Sequence, residues 1–444
     1  MVGGEKQTLI FEQGLNGGSQ EDLISQLPDH LKTEILYHLP TMEAVTTSVL
    51  STRWTNIWKL VPGLDLDSCR YSDFKAIHSF LDIQRQSRIR KFWLKIRRHI
   101  YDNDATCVTQ WTDDALTRHR IQDLDVCFGY YYQIGLVQIP RSVFTSDRLV
   151  HLRLFGARLF NAEFVSLPCL KMIHLEYVTA PNEATLEKLI SSSPVLEDLT
   201  IRRCNGNVAD VLQVRSKTVK RIEMDHFAPL VIDEAPLLQF LRIKVNFFKT
   251  FRVIVFWGFA AKVDVHVSTG CAFYPYNVSS KVGVIGDFLT VMSSVRDLAL
   301  SRDIWEVIYQ YSQLESLPQF DLLSRLCVRL CSSDLAWLPA FLKNCPKLRS
   351  LSVEVWYDGY KKMPIDESFP PVLECLLSSL EFLDIKARVS GDSTEMKLVR
   401  YLLENSLVLK KLTLRLDSHP RNDDISEEIL RLPRRSITCQ VLVL

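Results

Sequence analysis

One spacing recurs along most of this chain and limits its fold more than any other feature. An apolar residue is followed by a second three places later and by a third two places after that. The pattern runs at Leu149-Leu152-Leu154, Leu170-Ile173-Leu175, Leu196-Leu199-Ile201, Val219-Ile222-Met224 and Leu238-Leu241-Ile243. It returns at Val295-Leu298-Leu300, Leu323-Leu326-Val328, Leu348-Leu351-Val353, Leu380-Leu383-Ile385 and Leu409-Leu412-Leu414, with earlier members at Ile89-Phe92-Leu94 and Ile121-Leu124-Val126. At this apolar content roughly one start position in ten matches by chance, so the matches alone decide little. The intervals decide more: many successive matches fall about 19 to 32 residues apart, the period of an array in which each unit is one strand and one return. No such unit buries its own apolar edge, and stacking many of them gives a curved solenoid cored by a ladder of these residues.

Proline sits two places before the first apolar residue at Pro168, Pro194, Pro236 and Pro346. There it closes the preceding segment and pre-extends the chain into the next strand. Residues 183–190 and 336–343 read as helical returns. The pattern is weakest over 247–286, which is where a break in the array is expected. A chain of 444 residues is too long for one compact core of ordinary size, and repetition supplies an elongated one instead.

Hydrophobic residues make up 47% of the chain and the mean hydropathy is +0.03, as in a water-soluble globular protein. A net charge of +1 exerts no general pull toward nucleic acid or an anionic membrane, so neither is an expected partner. Residues 1–22 lack the apolar core of a signal peptide and the Arg-rich pattern of a transit peptide. The longest apolar run, 253–261, is far short of a membrane span. The 11 cysteines, irregularly spaced, suit a reducing compartment where they act as small core side chains. The expected location is intracellular, in the cytoplasm or the nucleus.

Ahead of the repeats, residues 22–58 pack three helix signals into a short stretch. Pro28 stands where a first helical residue tolerates a missing N–H, and Leu31, Ile35, Leu36 and Leu39 follow at helical spacing up to Pro40. Thr41 reads as the N-cap of a second helix with Ala44, Val45, Val49 and Leu50 on one side. Ser51 reads as the cap of a third, lined by Trp54, Ile57 and Trp58. Helices this short need neighbours, and their surplus of large apolar side chains points to another protein. Leu27-Pro28-Asp29, Ile35-Leu36, Leu39-Pro40, Ser48-Val49-Leu50-Ser51, Arg53, Trp54 and Trp58 together resemble the F-box, the motif that docks onto the Skp-type adaptor of cullin–RING ubiquitin ligases. Thr52 and Thr55 depart from the basic residues common there in the plant branch. The resemblance implies adaptor contacts through Leu27, Pro28, Ile35, Leu36, Leu39, Val45, Val49, Leu50 and Trp54.

Residues 370–383, 396–416 and 430–444 resemble the FBD segment that ends many plant F-box/leucine-rich-repeat proteins. They read as strand, helix over 394–405, strand, helix and strand, able to extend and cap the solenoid. The expected organisation is α/β: a flexible tail at 1–20, a three-helix F-box at 21–62, a leucine-rich-repeat solenoid at 63–362 and an FBD-like segment at 363–444.

Catalytic signatures are missing. Neither a phosphate-cradling glycine motif nor a nucleophile elbow nor a His-Glu-x-x-His helix can be spelled from this sequence. Cys327 and Cys331 are too widely spaced for a zinc knuckle and lack a companion pair. No cofactor or metal is expected, and no enzymatic activity. The densest basic run, Arg88 to Arg98, places Lys91, Lys95 and Arg97 on one side of a strand beside Trp93, with Phe92, Leu94 and Ile96 on the other. With Arg98 these form a candidate polyanion site, set against the simpler reading of a solvated strand face. Taken together, the resemblance implies the substrate-recognition subunit of an SCF-type ubiquitin ligase that binds the Skp-type adaptor at one end and an unknown target protein on the repeats. The alternatives are a co-receptor sensing a small molecule or an inositol polyphosphate, and an F-box scaffold outside ubiquitination.

Overall fold

The protein is described by a computed structural model that covers residues 23–70, 74–83, 89–97, 102–129, 136–204, 211–225, 230–245, 253–255, 264–269, 278–356, 372–387, 394–416 and 422–444. The expected tail at 1–20 and the start of the FBD-like segment at 363–371 lie outside the described residues, as do Arg88 and Arg98. Two short helices come first, α1 (Asp29–Tyr37) and α2 (Thr41–Thr46). A parallel sheet of fifteen strands then runs to the end of the chain. It begins with β1 (Gly63–Asp67), β2 (Lys91–Ile96), β3 (Asp123–Phe128), β4 (His151–Phe155), β5 (Met172–Glu176) and β6 (Asp198–Arg202).

Next, strands of the main sheet alternate with strands of a second one. β7 (Leu212–Arg215), β9 (Leu230–Glu234) and β11 (Val253–Val255) form a separate parallel sheet of three. β8 (Arg221–Asp225), β10 (Phe240–Val245) and β12 (Asp264–Thr269) continue the main sheet. It is completed by β13 (Asp297–Leu300), β14 (Arg325–Cys331), β15 (Ser350–Trp356), β16 (Phe382–Ala387), β17 (Lys411–Leu416) and β18 (Gln440–Val443). Most other returns carry helices: α3 (Phe74–Ile83), α4 (Asp102–Arg118), α5 (Glu183–Ser191), α6 (Val282–Met292), α7 (Arg302–Ser312), α8 (Leu338–Leu342), α9 (Glu374–Ser378), α10 (Thr394–Asn405) and α11 (Asn422–Arg431).

The leucine spacing dictates this arrangement. The second and third members of each triplet are two apart, so a strand points both to the same side. The first sits in the turn just before the strand. Every member of every triplet named above is buried. Register keeps them together across the sheet: Leu124 lies beside Leu152, then Ile173, Leu199, Ile222 and Leu241. Each fully buried side chain of this size stabilises the fold by about 1.5–3 kcal/mol. The prolines act one step earlier. The N–H groups of Leu170, Leu196, Leu238 and Leu348 donate to the carbonyls of Leu167, Ser193, Ala235 and Cys345, which puts each proline at the second position of a β-turn, where its fixed φ is already suitable.

Two expectations are corrected. The return segment is not a helix throughout. Between β6 and β12 successive strands of the main sheet start only 19 to 24 residues apart, little is left for a helix and its connections, and extended returns pair with one another as β7, β9 and β11. Nor is the array broken over 247–286 as far as the described residues run. β12 pairs with β10 and with β13, setting Val265 opposite Leu241 and Leu298, and Val267 opposite Ile243 and Leu300. That repeat hides from the pattern because Lys262 stands where the first apolar member belongs.

The FBD-like segment continues the same ladder, with Leu351 beside Leu383 and Leu383 beside Leu412. Removing it leaves β15 as an open edge over an uncovered core, and terminal repeats need covering to stay soluble. Deletion of residues 363–444 is therefore expected to give soluble aggregates in size-exclusion chromatography with light scattering. A monomeric truncated chain that melts cooperatively would mean that the segment folds as an independent domain.

Candidate functional site

The N-terminal helices are built by local rules with small shifts from the sequence reading. Pro28, extended at ψ 148, precedes α1 as its N-cap rather than beginning it, and its carbonyl accepts the N–H groups of Leu31 and Lys32. Pro40 takes the same position before α2, so Thr41 is the first helical residue and not the cap. The Thr41 hydroxyl instead accepts the Asp65 N–H at 2.8 Å, fastening α2 to β1. The third segment winds more tightly than an α-helix. Trp54, Ile57, Lys59 and Val61 each donate to the carbonyl three residues back, and the stretch ends in a 3₁₀ turn over Ile57–Leu60. This tighter winding lets the chain reach β1 within a few residues.

These elements split the expected docking residues into two groups. Val49 is 82% exposed, Leu50 62% and Ile35 45%, and Pro28 is exposed beside them. Leu27, Leu39 and Val45 are half-buried. Leu36 and Trp54, by contrast, are 1% and 2% exposed and belong to a small core with Ala44, Ile57, Trp58 and Val61. The Trp54 indole donates to Ser25 Oγ at 3.0 Å, and Lys32 lies over its ring at 5.6 Å. These two side chains hold the platform and present no surface of their own, which corrects their placement among contact residues. Leu23, Ile24 and Leu31, absent from the expected set, are exposed with Ile35, Val49 and Leu50. Burying some members of an apolar stripe and exposing others is a tertiary decision that helical spacing does not record.

The platform is tied to the repeats at β1. Trp58 packs edge-on against Phe80 of α3 at 5.9 Å. A side chain at Gly63 would approach the Tyr37 ring to 3.2 Å, so glycine allows α1 to lie close against the strand. Lys91 fills the remaining space. It is 7% exposed, with its ammonium 3.7 Å from the Trp93 ring centroid, 5.5 Å from that of Tyr37 and 3.9 Å from the Asp65 carboxylate. Burial pulls its pKa down, against the opposing pull of Asp65 and Asp123.

This removes Lys91 from the candidate polyanion site. Of the other described members, Arg97 pairs with Asp67 across strands at 3.3 Å, and Lys95 lies over the Trp93 ring of its own strand. Asp65 and Asp67 on one side, and Asp123 and Asp125 on the other, flank β2 in register. Among the described residues, cross-strand pairing recurs along the open face of the sheet. Arg153 meets Asp125, Arg325 meets Asp297, Arg415 meets Asp384, and Arg329 and Lys386 share Glu354. On β8, Glu223 receives Arg202, Arg221 and Arg242 at once. Sequence reasoning missed this cluster because its members come from three separate repeats; aligned triplets would have revealed it. Trp356, 58% exposed, and the Phe155–Tyr177 pair stand on or beside this face. No group of three or more His, Cys, Asp or Glu side chains able to hold a metal occurs among the described residues. Nor is any helix there long and apolar enough to cross a membrane.

With Lys91 buried and Arg97 paired, inositol hexakisphosphate is expected to leave the melting temperature of the purified protein unchanged. The variant Lys95→Glu with Arg97→Glu should behave alike. A rise of several degrees in the wild type that disappears in the variant would reinstate a polyanion site.

Comparison with known proteins agrees with this architecture. Residues 24–64 match the F-box domain model, residues 108–304 the model described as FBD-associated F-box protein At5g56370, LRR repeats, and residues 370–414 the FBD model. The chain is 44% identical to the F-box/FBD/LRR-repeat protein At1g51370 of Arabidopsis thaliana over 100% of both chains. It is 42% identical to the F-box/FBD/LRR-repeat protein At5g53840 over 98% of each. Against F-box/LRR-repeat protein 13, both from the same plant, identity is 38% over 96% of this chain and 97% of that one. An F-box platform, a leucine-rich ladder and an FBD segment in this order, with full-length relatives at these identities, place the chain in the plant F-box/FBD/LRR-repeat family of protein-interaction proteins.

Proposed function

We propose that this protein is the substrate-recognition subunit of an SCF-type ubiquitin ligase. In this reading the F-box platform holds the Skp-type adaptor, and through it the cullin–RING ligase, while the open face of the sheet holds a target protein. The observation that carries it is the number of large apolar side chains that the platform leaves exposed: Leu23, Ile24, Leu31, Ile35, Val49 and Leu50. Removing each from water is worth about 1.5–3 kcal/mol, and an apolar patch of this kind marks an interaction surface. Leu36 and Trp54 fix the geometry from within. Residues 21–62 then form the adaptor module, 63–362 the target-binding body and 363–444 its closing repeats.

The mechanism is proximity. Holding a target lysine near a charged conjugating enzyme turns a bimolecular encounter into an effectively intramolecular one. The chain supplies binding at two places and no catalytic residue, needs no cofactor, and works inside the cell, in cytoplasm or nucleus. Neither nucleic acid nor membrane enters the scheme. The burial of Lys91 and the pairing of Arg97 with Asp67 weigh against the polyphosphate-sensing alternative.

Exposed and buried members of the motif should separate in experiment. Val49→Asp with Leu50→Asp is expected to abolish co-purification with the Skp-type adaptor and to leave the melting temperature within about one degree, because surface changes rarely exceed about 0.5 kcal/mol. Trp54→Ala should instead destabilise the platform by about 3–5 kcal/mol. Undiminished adaptor binding by the double aspartate variant would sink the ligase reading.

A further inference from the structure

The helical side of the solenoid carries a cleft that neither the F-box platform nor the open sheet face accounts for. It lies between α6 and the C-terminal end of α7, encloses about 450 Å³, and is lined by Gly283, Gly286, Asp287, Tyr311, Glu315 and Leu317 among others. Tyr311 is 7% exposed, and its hydroxyl has no hydrogen-bond partner among the described residues. The ring is packed away while the hydroxyl borders the cleft, so its hydrogen-bonding capacity is open to whatever enters. Gly286 keeps it reachable. A Cβ at position 286 would stand 3.0 Å from the Tyr311 hydroxyl oxygen, and one at 283 would meet nothing within 4 Å.

Charge defines the occupant. Asp287 and Glu315 are exposed at the rim, and neither has an ion-pair partner among the described residues. This contrasts with the open sheet face, where carboxylates are taken up by cations of neighbouring strands. Burial, and then the charges of Glu315 and Asp287, raise the pKa of the Tyr311 hydroxyl. A phenol is protonated at neutral pH in any case, and its oxygen lone pairs are available as acceptors. Two free carboxylates and one acceptor oxygen match a group that is positively charged and carries several N–H donors. Val282 and Leu317 supply apolar surface for an aliphatic stem.

We propose that this cleft is a docking site for a lysine or arginine side chain on a basic segment of a second protein. Tyr311 Oη accepts a hydrogen bond from the cationic head, while Asp287 and Glu315 neutralise it. Because the cleft is on the helical side, it remains open when the sheet face and the F-box platform are occupied, and it does not depend on the ligase reading.

The test uses the full-length protein bound to its adaptor and a short fluorescein-labelled peptide alternating lysine and glycine, followed by fluorescence anisotropy. Asp287→Asn with Glu315→Gln is expected to weaken binding by about tenfold or more, and Tyr311→Phe by about threefold. Gly286→Ala should block binding by filling the approach to the hydroxyl while leaving the melting temperature unchanged. Asp147→Asn with Glu163→Gln, which removes two exposed carboxylates elsewhere, should leave binding at the wild-type level. The proposal is overturned if the wild type fails to bind at millimolar peptide, or if the control variant loses as much affinity as the cleft variant. Displacement by spermidine at lower concentration than by unlabelled peptide would make this a polyamine site instead. A marked fall in melting temperature for Asp287→Asn with Glu315→Gln, in the absence of peptide, would mean that cations of the chain itself occupy the cleft, and would also overturn it.

Discussion

The parallel backbone ladder is the constraint on which the rest of the molecule depends. Side chains alternate sides along a strand, so a slip of one residue would carry Leu152 and Leu154 to water and bring His151, Arg153 and Phe155 into the core. The buried positions of neighbouring strands meet in register from Leu64 beside Phe92 to Leu412 beside Val441. Only the strand and its preceding turn must repeat. The return is free to be the 17-residue helix α4 or the 4-residue strand β7, provided that the next triplet arrives in place. This freedom explains the irregular period and the insertion of a three-stranded sheet within a solenoid whose other returns are mostly helical.

A ladder of this kind has two ends, and each must be covered. At the first, α2 is fastened to β1 by Thr41, and α1 lies over Gly63 with Lys91 sandwiched between Tyr37 and Trp93. The F-box therefore does two things with one set of helices: it covers the edge of the sheet and holds an apolar patch away from it. The two functions draw on different residues. Leu36, Trp54 and Trp58 serve the inside, and Ile35, Val49 and Leu50 the outside. At the other end β18 is held by backbone bonds to β17, with the Leu444 N–H donating to Leu414 and the Leu416 N–H to Leu444.

What was legible in the sequence follows from range. The triplets could be read because they span five residues and obey strand alternation, and α10 could be bounded because its apolar stripe is complete. Cap positions slipped by one because an extended proline serves as an N-cap as readily as it begins a helix. The third F-box segment reads as α-helical since Trp54, Ile57 and Trp58 fit a helical spacing, and the same residues suit a succession of tighter turns. Choosing between Ile35 and Leu36 as the outward residue required knowing where Trp54 lies. The β2 row looked cationic because its neutralising acids, Asp65, Asp67 and Asp125, sit on neighbouring strands and become adjacent only once the register is known.

The paired charges bear on how such a face can recognise a target. An arginine already held by a carboxylate gains little from exchanging it for another on a partner, because the first pair must break and both groups must be desolvated again. Affinity on the open face should then come from groups whose binding capacity is not already satisfied within the chain. Trp356 offers a large exposed ring at the end of β15. Aromatic anchors of this type dominate binding energy at interfaces, whereas paired charges mainly set orientation and exclude wrong partners. A target held on this face, as proposed above, would be selected by apolar and aromatic contacts at a few points, with the paired charges favouring one approach rather than providing the attraction.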